Sequence, residues 1–120
     1  MAKRIQETGR LGEDRALAHY EHDGWTLIAR NYRAGPKEVD LIVGKGRLIV
    51  FAEVKTRRTR TGGGPLDTVG LRKRRAVAEA ARHWIFHYGG AGQSYRFDVV
   101  GVEIDAKGTQ ITHVPDAWRP

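Results

Sequence analysis

The 120-residue sequence contains no cysteine, which excludes disulfides, thiolate metal sites and thiol nucleophiles together. It also lacks any apolar run near the roughly 20 residues needed to cross a bilayer, so no membrane partner is expected. Its start, Met1-Ala2-Lys3-Arg4-Ile5-Gln6-Glu7, has basic residues without the apolar stretch that a secretory signal needs. The expected compartment is the cytoplasm. Repeats, linkers and low-complexity stretches are missing as well, so one domain over residues 1–120 is expected, with 115–120 as a loose tail. Acids are the scarcer charge, 14 against 21 lysines and arginines, for a net +7. Such an excess suits a polyanion, because each neutralised phosphate releases condensed counterions. A basic protein with no special partner has the same composition, so charge alone leaves that choice open.

Periodicity supplies the elements. Glu13, Ala16, Leu17 and Tyr20 fall at i, i+3, i+4 and i+7, which predicts a helix over 9–23 with a carboxylate interrupting its apolar stripe. Gly24 stops it. Trp25 to Tyr32 reads as a strand, and Lys37 to Val43 as a second, with Glu38, Asp40 and Ile42 on one face and Val39, Leu41 and Val43 on the other. Gly44-Lys45-Gly46 turns the chain into a third strand, Arg47 to Thr56, apolar on both faces and therefore central. A basic, glycine-rich loop over 57–65 follows. A second helix, capped by Asp67 or Thr68, runs to about Tyr88 with Val69, Val77, Ala80, Ala81, Trp84 and Tyr88 buried. Tyr95 to Ile104 is a fourth strand, and Ile111 to Val114 a short edge strand. The expected class is α/β: an α-β-β-β-α-β order with a mixed sheet flanked by helices.

The chemistry gathers on neighbouring strands. Glu53 and Lys55 are two apart and share a face. Asp40 lies across the hairpin. Pairing Gly44 with Arg47 sets it diagonal to Glu53, and pairing Val43 with Val50 sets it directly opposite. A one-residue slip would turn it to the wrong face. Two carboxylates this close repel unless something compensates them, and a hard divalent cation, Mg²⁺ or Mn²⁺, would do so. It would also polarise a phosphodiester and activate water, with the lysine stabilising developing charge. An E-x-K is common by chance, and alone would be a solvated ion pair. Here it ends a buried strand, where charges are costly.

The runs Gly12-Glu13, Asn31-Tyr32-Arg33, Lys37-Glu38-Val39-Asp40-Leu41-Ile42, Val50-Phe51-Ala52-Glu53-Val54-Lys55-Thr56-Arg57 and Arg96-Phe97-Asp98-Val99-Val100 resemble the YraN-type uncharacterised protein family. That family is similar to archaeal Holliday-junction resolvases, within the restriction-endonuclease-like PD-(D/E)XK nucleases. The resemblance spans nearly the whole chain. It implies a restriction-endonuclease-like core, with Asp40 and Glu53 as metal-binding acids and Lys55 as the motif lysine. It further implies that Glu13 completes the metal site, that DNA, branched DNA included, is the substrate, and that a homodimer acts on it. Two positions depart from the pattern: Val39 stands in place of proline and Lys37 in place of glycine.

Other residues carry weaker signals. Glu38, on the face assigned to Asp40, suits a supporting role or an ion pair with Lys55 or an arginine. Lys73 lies on the stripe of the second helix, and its family counterpart sits near the scissile phosphate; reaching out to solvent is the equal alternative. Arg57, Arg58 and Arg60 would contact DNA backbone without reading sequence, or form a solvated loop. His83 and His87, four apart, lack the glutamate and third ligand of a zinc site and are expected at the surface, like His19 and His22. Trp25, Trp84 and Phe97 are expected in the core. Residues 62–64 do not open a helix as a P-loop does. The competing function is a nucleic-acid-binding module without catalysis, and a weaker third is a protein-interaction scaffold.

Overall fold

The computed structural model describes residues 2–58 and 71–120, with side chains from residue 7 onward. Arg60, the glycines at 62–64, the cap at Asp67 or Thr68, and Val69 lie outside the described residues. Seven elements follow in order: α1 (Ala2–His22), β1 (Thr26–Ala34), β2 (Lys37–Lys45), β3 (Leu48–Arg58), α2 (Leu71–Tyr88), β4 (Ser94–Asp105) and β5 (Gly108–Trp118). Helix α1 starts seven residues earlier than its apolar stripe suggests. It stops where expected. Gly24 adopts φ of 89°, letting Trp25 N–H donate to Tyr20 O at 3.1 Å and Gly24 N–H to Glu21 O at 3.0 Å, a Schellman end that favours glycine.

The sheet order is β1-β2-β3-β4-β5. Strands β3 and β4 pair in parallel and every other pair is antiparallel. This is a mixed sheet with the restriction-endonuclease-like α-β-β-β-α-β core and one further edge strand. A two-residue turn, Gly46-Arg47, joins β2 to β3, its glycine at φ of 59°. It sets the register at Val43↔Val50, the second of the two pairings open from sequence. Helix α1 covers one face, over Leu41, Val43, Val50, Ala52, Val100 and Val102. Helix α2 covers the other, burying Val77, Ala81 and Trp84 on Ile42, Phe51 and Phe97; Tyr88, expected on the same stripe, is instead 65% exposed at the end of the helix. Each fully buried aliphatic or aromatic side chain contributes about 1.5–3 kcal/mol.

The chain end corrects an expectation. Residues 115–120 are no loose tail, because β5 continues to Trp118, which is 7% exposed with its ring centroid 4.4 Å from that of Phe97. The edge strand is accordingly eleven residues long.

Under α1 lies a buried charge. Asp98 is fully buried and accepts from Tyr20 Oη at 2.8 Å, from Arg96 Nε and Nη2 at 2.8 and 2.9 Å, and from the Asp116 backbone N–H at 3.0 Å. His113 Nε2 lies 2.7 Å away, and His19 Nε2 meets His113 Nδ1 at 3.1 Å. Burial alone would push the Asp98 carboxyl up, but the bonds from His113, Arg96, Asp116 and Tyr20 outweigh it and hold it well below the usual carboxylate range. The same surroundings raise the Tyr20 phenol, through burial first and Asp98 second.

Close packing fixes α1 on β3. A β-carbon at Gly12 would sit 1.8 Å from Thr56 Oγ1, so no larger residue fits without displacing helix or strand. Gly12→Ala should therefore lower unfolding free energy by about 1–3 kcal/mol in urea titration. Asp98→Asn should cost about 3 kcal/mol or more at neutral pH, because it leaves Arg96 without its buried counter-charge. The folded-state carboxyl is depressed, so its stabilisation is present above about pH 4 and lost as pH falls further. The gap between wild type and Asp98→Asn should close in acid.

Candidate functional site

The site begins with a defect in strand alternation. Arg30 pairs with Leu41 and Tyr32 with Val39, while the position between them, Asn31 opposite Asp40, drops out of the ladder. Asn31 holds the left-handed φ of 52°, which asparagine tolerates better than most residues. The alternation of both strands reverses there. Val39 joins Ile42 under α2, whereas Leu41 and Val43 lie under α1. The expected sharing of one face by Glu38, Asp40 and Ile42 is thereby corrected: regular period-2 counting does not survive the kink.

The kink aims Asp40 sideways, within the sheet. Its Oδ2 accepts the backbone N–H of Val54 at 2.8 Å, just beyond the last regular β2–β3 pair, Leu41↔Ala52. A side-chain carboxylate thus serves where a ladder carbonyl would. Glu53, the residue before Val54, is 3% exposed and lies against Asp40. Neither Glu53 oxygen has an aligned hydrogen-bond donor among the described residues. Lys73 Nζ, from the first turn of α2, makes an ion contact with Oε2 at 3.3 Å. Burial first, and then the neighbouring Asp40, push the Glu53 carboxyl up to about 9, with Lys73 pulling the other way. Lys73 is in turn raised by the charges of Glu53 and Asp40, against the lowering effect of burial.

Two adjacent hard oxygen donors, one buried without aligned donors, fit the requirements of a divalent cation. They do not make a full ligand set. Among the described residues no group of three or more carboxylates or imidazoles converges to hold a metal ion. Glu13 is engaged elsewhere, with Arg30 Nε at 3.2 Å from Oε1 and Asn31 Nδ2 donating to Oε2 at 3.1 Å. Arg30 also meets Asp14 at 2.7 Å. Glu38 faces this same group, paired with Arg33 at 2.9 Å and reached by Asn31 Nδ2 at 3.4 Å. Glu13, Asn31, Arg33 and Glu38 line an open cavity of about 540 Å³ between α1 and the β1–β2 edge.

The remaining candidates distribute as follows. Lys55 is half-buried and paired with Gly101, on Glu53's side of β3 by alternation. Arg57 is 4.0 Å from Glu103, and Arg58 Nε donates to Thr8 Oγ1 at 2.9 Å, so both brace the fold. His83 meets Tyr32, from whose hydroxyl it lies 2.5 Å away, and His87 stacks near it. His19, expected to be an ordinary surface histidine, instead adjoins the Asp98 network through His113.

The family model described as uncharacterised protein family UPF0102 matches residues 12–102. The chain belongs to UPF0102. A UPF0102 protein of Anaeromyxobacter dehalogenans is 40% identical over 113 residues, covering 94% of this chain and 84% of that one. Another, from Desulforapulum autotrophicum, is 34% identical over 119 residues, 99% and 98% of the two chains. A third, from Chloroherpeton thalassium, is 40% identical over 97 residues, 81% and 75%. The UPF0102 match takes in Glu13, Asn31, Asp40, Glu53, Lys55, Lys73 and Asp98 and ends before β5.

The Glu53 shift has a measurable sign. Between about pH 4.5 and 9 the folded, metal-free protein keeps a proton on Glu53 that the unfolded chain has lost. Stability should therefore decline as pH rises through that window, by up to about 1.4 kcal/mol per pH unit. Glu53→Gln should flatten the decline in chelator-treated thermal melts. Identical pH slopes for the two proteins would contradict the raised carboxyl.

Proposed function

We propose that this UPF0102 protein is a metal-dependent phosphodiester hydrolase acting on DNA. The observation that carries the reading is Glu53, buried against Asp40 with oxygens that no donor among the described residues is aligned to satisfy. Leaving a polar group in that state costs about 1–3 kcal/mol or more, which is more than a purely structural residue warrants. Asp40 and Glu53 would hold Mg²⁺ or Mn²⁺. When bound, such an ion supplies Lewis-acid polarisation of a phosphoryl oxygen and a more acidic water.

The chain's own contribution is orientation and charge. Asp40 is fixed by the Val54 N–H, so its carboxylate is already turned toward Glu53 before anything binds. Lys73 stands beside Glu53 and compensates its charge once ionised. Lys55 follows on the same strand face as a cation for the developing phosphoryl charge. The net +7 supports a polyanionic substrate. The motif resemblance adds the finer points of a branched DNA and a homodimer matched to a two-fold junction, with the cytoplasm as compartment.

A second reading is favoured by one observation. Glu13 is held by Arg30 and Asn31 and does not join the pair, an arrangement that suits a nucleic-acid-binding module without hydrolysis. One set of measurements separates the two. The protein would be incubated with four-way, flapped and linear DNA in Mg²⁺ or Mn²⁺, beside Asp40→Asn and Glu53→Gln. Cleavage is expected from wild type and should fall at least about a hundredfold in both variants with DNA binding retained. The ion should also raise the melting temperature of wild type and not of Glu53→Gln. Salt-sensitive binding with neither cleavage nor ion-dependent stabilisation would establish the module instead.

A further inference from the structure

A second basic feature lies on α2, away from the acidic pair. Leu71, Arg74, Arg75 and Arg82 on the helix, with Trp118 and Arg119 from the end of the chain, line a groove of about 400 Å³. Arg74 and Arg82 stand eight residues apart on one helical row, and Leu71 and Arg75 lie on the next. From residue 71 to residue 82 the wall is about 16 Å long. Its lining carries four guanidinium groups against one carboxylate, Glu79, which itself lies 3.9 Å from Lys37. Arg119 meets Asp116 at 2.8 Å. Arg75 and Arg82 have no ion pair among the described residues.

Two further donors stand at the wall. The Arg74 guanidinium carbon lies 6.0 Å from the centroid of the Trp118 ring, and both Arg74 Nε and Trp118 Nε1 are buried without an acceptor among the described residues. Unsatisfied donors of this kind are uncommon and costly in a folded protein. Guanidinium groups donate only, so the exposed Arg75 and Arg82 of the lining call for acceptor oxygens bearing negative charge. An acidic peptide would offer carboxylates at irregular spacing. A phosphodiester strand presents anionic phosphate oxygens at regular intervals along a wall of this length.

We infer that the groove between α2 and the end of β5 binds the phosphate backbone of a nucleic-acid strand, through Arg75 and Arg82 with Arg74, Arg119 and Trp118. The inference rests on the nucleic-acid reading above and extends it to a surface that the motif residues do not include. The groove begins on the same helical turn that sends Lys73 to Glu53. A strand lying in it is therefore delivered along α2 toward the acidic pair. Contacts of this type position the substrate and do not read its sequence.

The test is fluorescence anisotropy with labelled DNA in EDTA, where binding is separated from hydrolysis. Arg75→Gln/Arg82→Gln should bind about tenfold more weakly and flatten the slope of log affinity against log salt by about two. The comparison protein is Arg15→Gln/Lys107→Gln, which removes the same charge at exposed positions outside the groove. It should keep most of its affinity. Thermal melts confirm that both variants fold, and Arg82→Gln alone serves if the double variant does not. Equal losses in the two double variants would reduce the effect to overall charge and overturn the groove. So would unchanged binding in the groove variant, or tighter groove-dependent binding to polyglutamate or phosphatidylserine vesicles than to DNA. Arginine-dependent binding without metal-dependent cleavage by wild type supports the groove while removing the hydrolytic reading. Cleavage by a protein whose binding ignores these arginines does the reverse.

Discussion

The bond from the Val54 amide to the Asp40 carboxylate is the contact on which the acidic pair depends. A ladder amide ordinarily donates to a carbonyl, and at this position a charged side chain has replaced it. The replacement is possible because Asn31 and Asp40 leave the β1–β2 ladder together, freeing Asp40 from the choice between the two faces. Charge-assisted bonds from backbone N–H groups are about twice as strong as neutral ones, so Asp40 is held firmly. Its neighbour then has to yield. Glu53 is the more buried of the two and has no aligned donor among the described residues, which is why the proton settles there.

Asp98 shows what a buried carboxylate looks like when the fold satisfies it. It pairs with Ala52 in the β3–β4 ladder, beside the pairing of Glu53 with Val99. The two acids are thus nearest neighbours in register on opposite faces of the sheet. Asp98 receives bonds from a phenol, a guanidinium, an imidazole and a backbone amide and is driven below the usual range. Glu53 has, among the described residues, one off-axis lysine, and is driven above it. Burial is common to both, so the difference lies in the donors. One carboxylate holds the protein together, and the other is left ready for something that is not protein.

The hairpin, the central β3 and the two helices were legible in the sequence because each rests on a periodic pattern and a glycine with a defined role. The pairing of Asp40 with Glu53 was legible too, since both stand as acids inside apolar strands. The same signal was available for Asp98, between Phe97 and Val99 with Arg96 two residues earlier, and was carried only as part of a family motif. What period-2 counting could not supply was the reversal at residue 40. The cue was Asn31, a residue tolerant of left-handed backbone in the middle of a strand. Glu13 was recognised as foreign to its apolar stripe, but its partner could not be read off. Arg30 and Asn31 come to it only once β1 folds under α1. The anchored chain end had a cue as well: Trp118 is a large aromatic in a polar stretch, and burying it contributes more than ordering the few residues before it costs.

The Asp98 network also orders events during folding. Asp40 and Glu53 are joined by a single hairpin, and closing a loop that short is entropically cheap. Tyr20 and Asp98 are 78 residues apart, and His113 must arrive from the last strand. Until α1 and β5 have both docked, the carboxylate of Asp98 has only its strand neighbour Arg96 to offset its removal from water. Contacts of such high sequence separation carry a large loop-closure cost that must be met before they stabilise anything. This network is therefore a latch between the first helix and the last two strands: it closes only when α1 and β5 are both seated against β4.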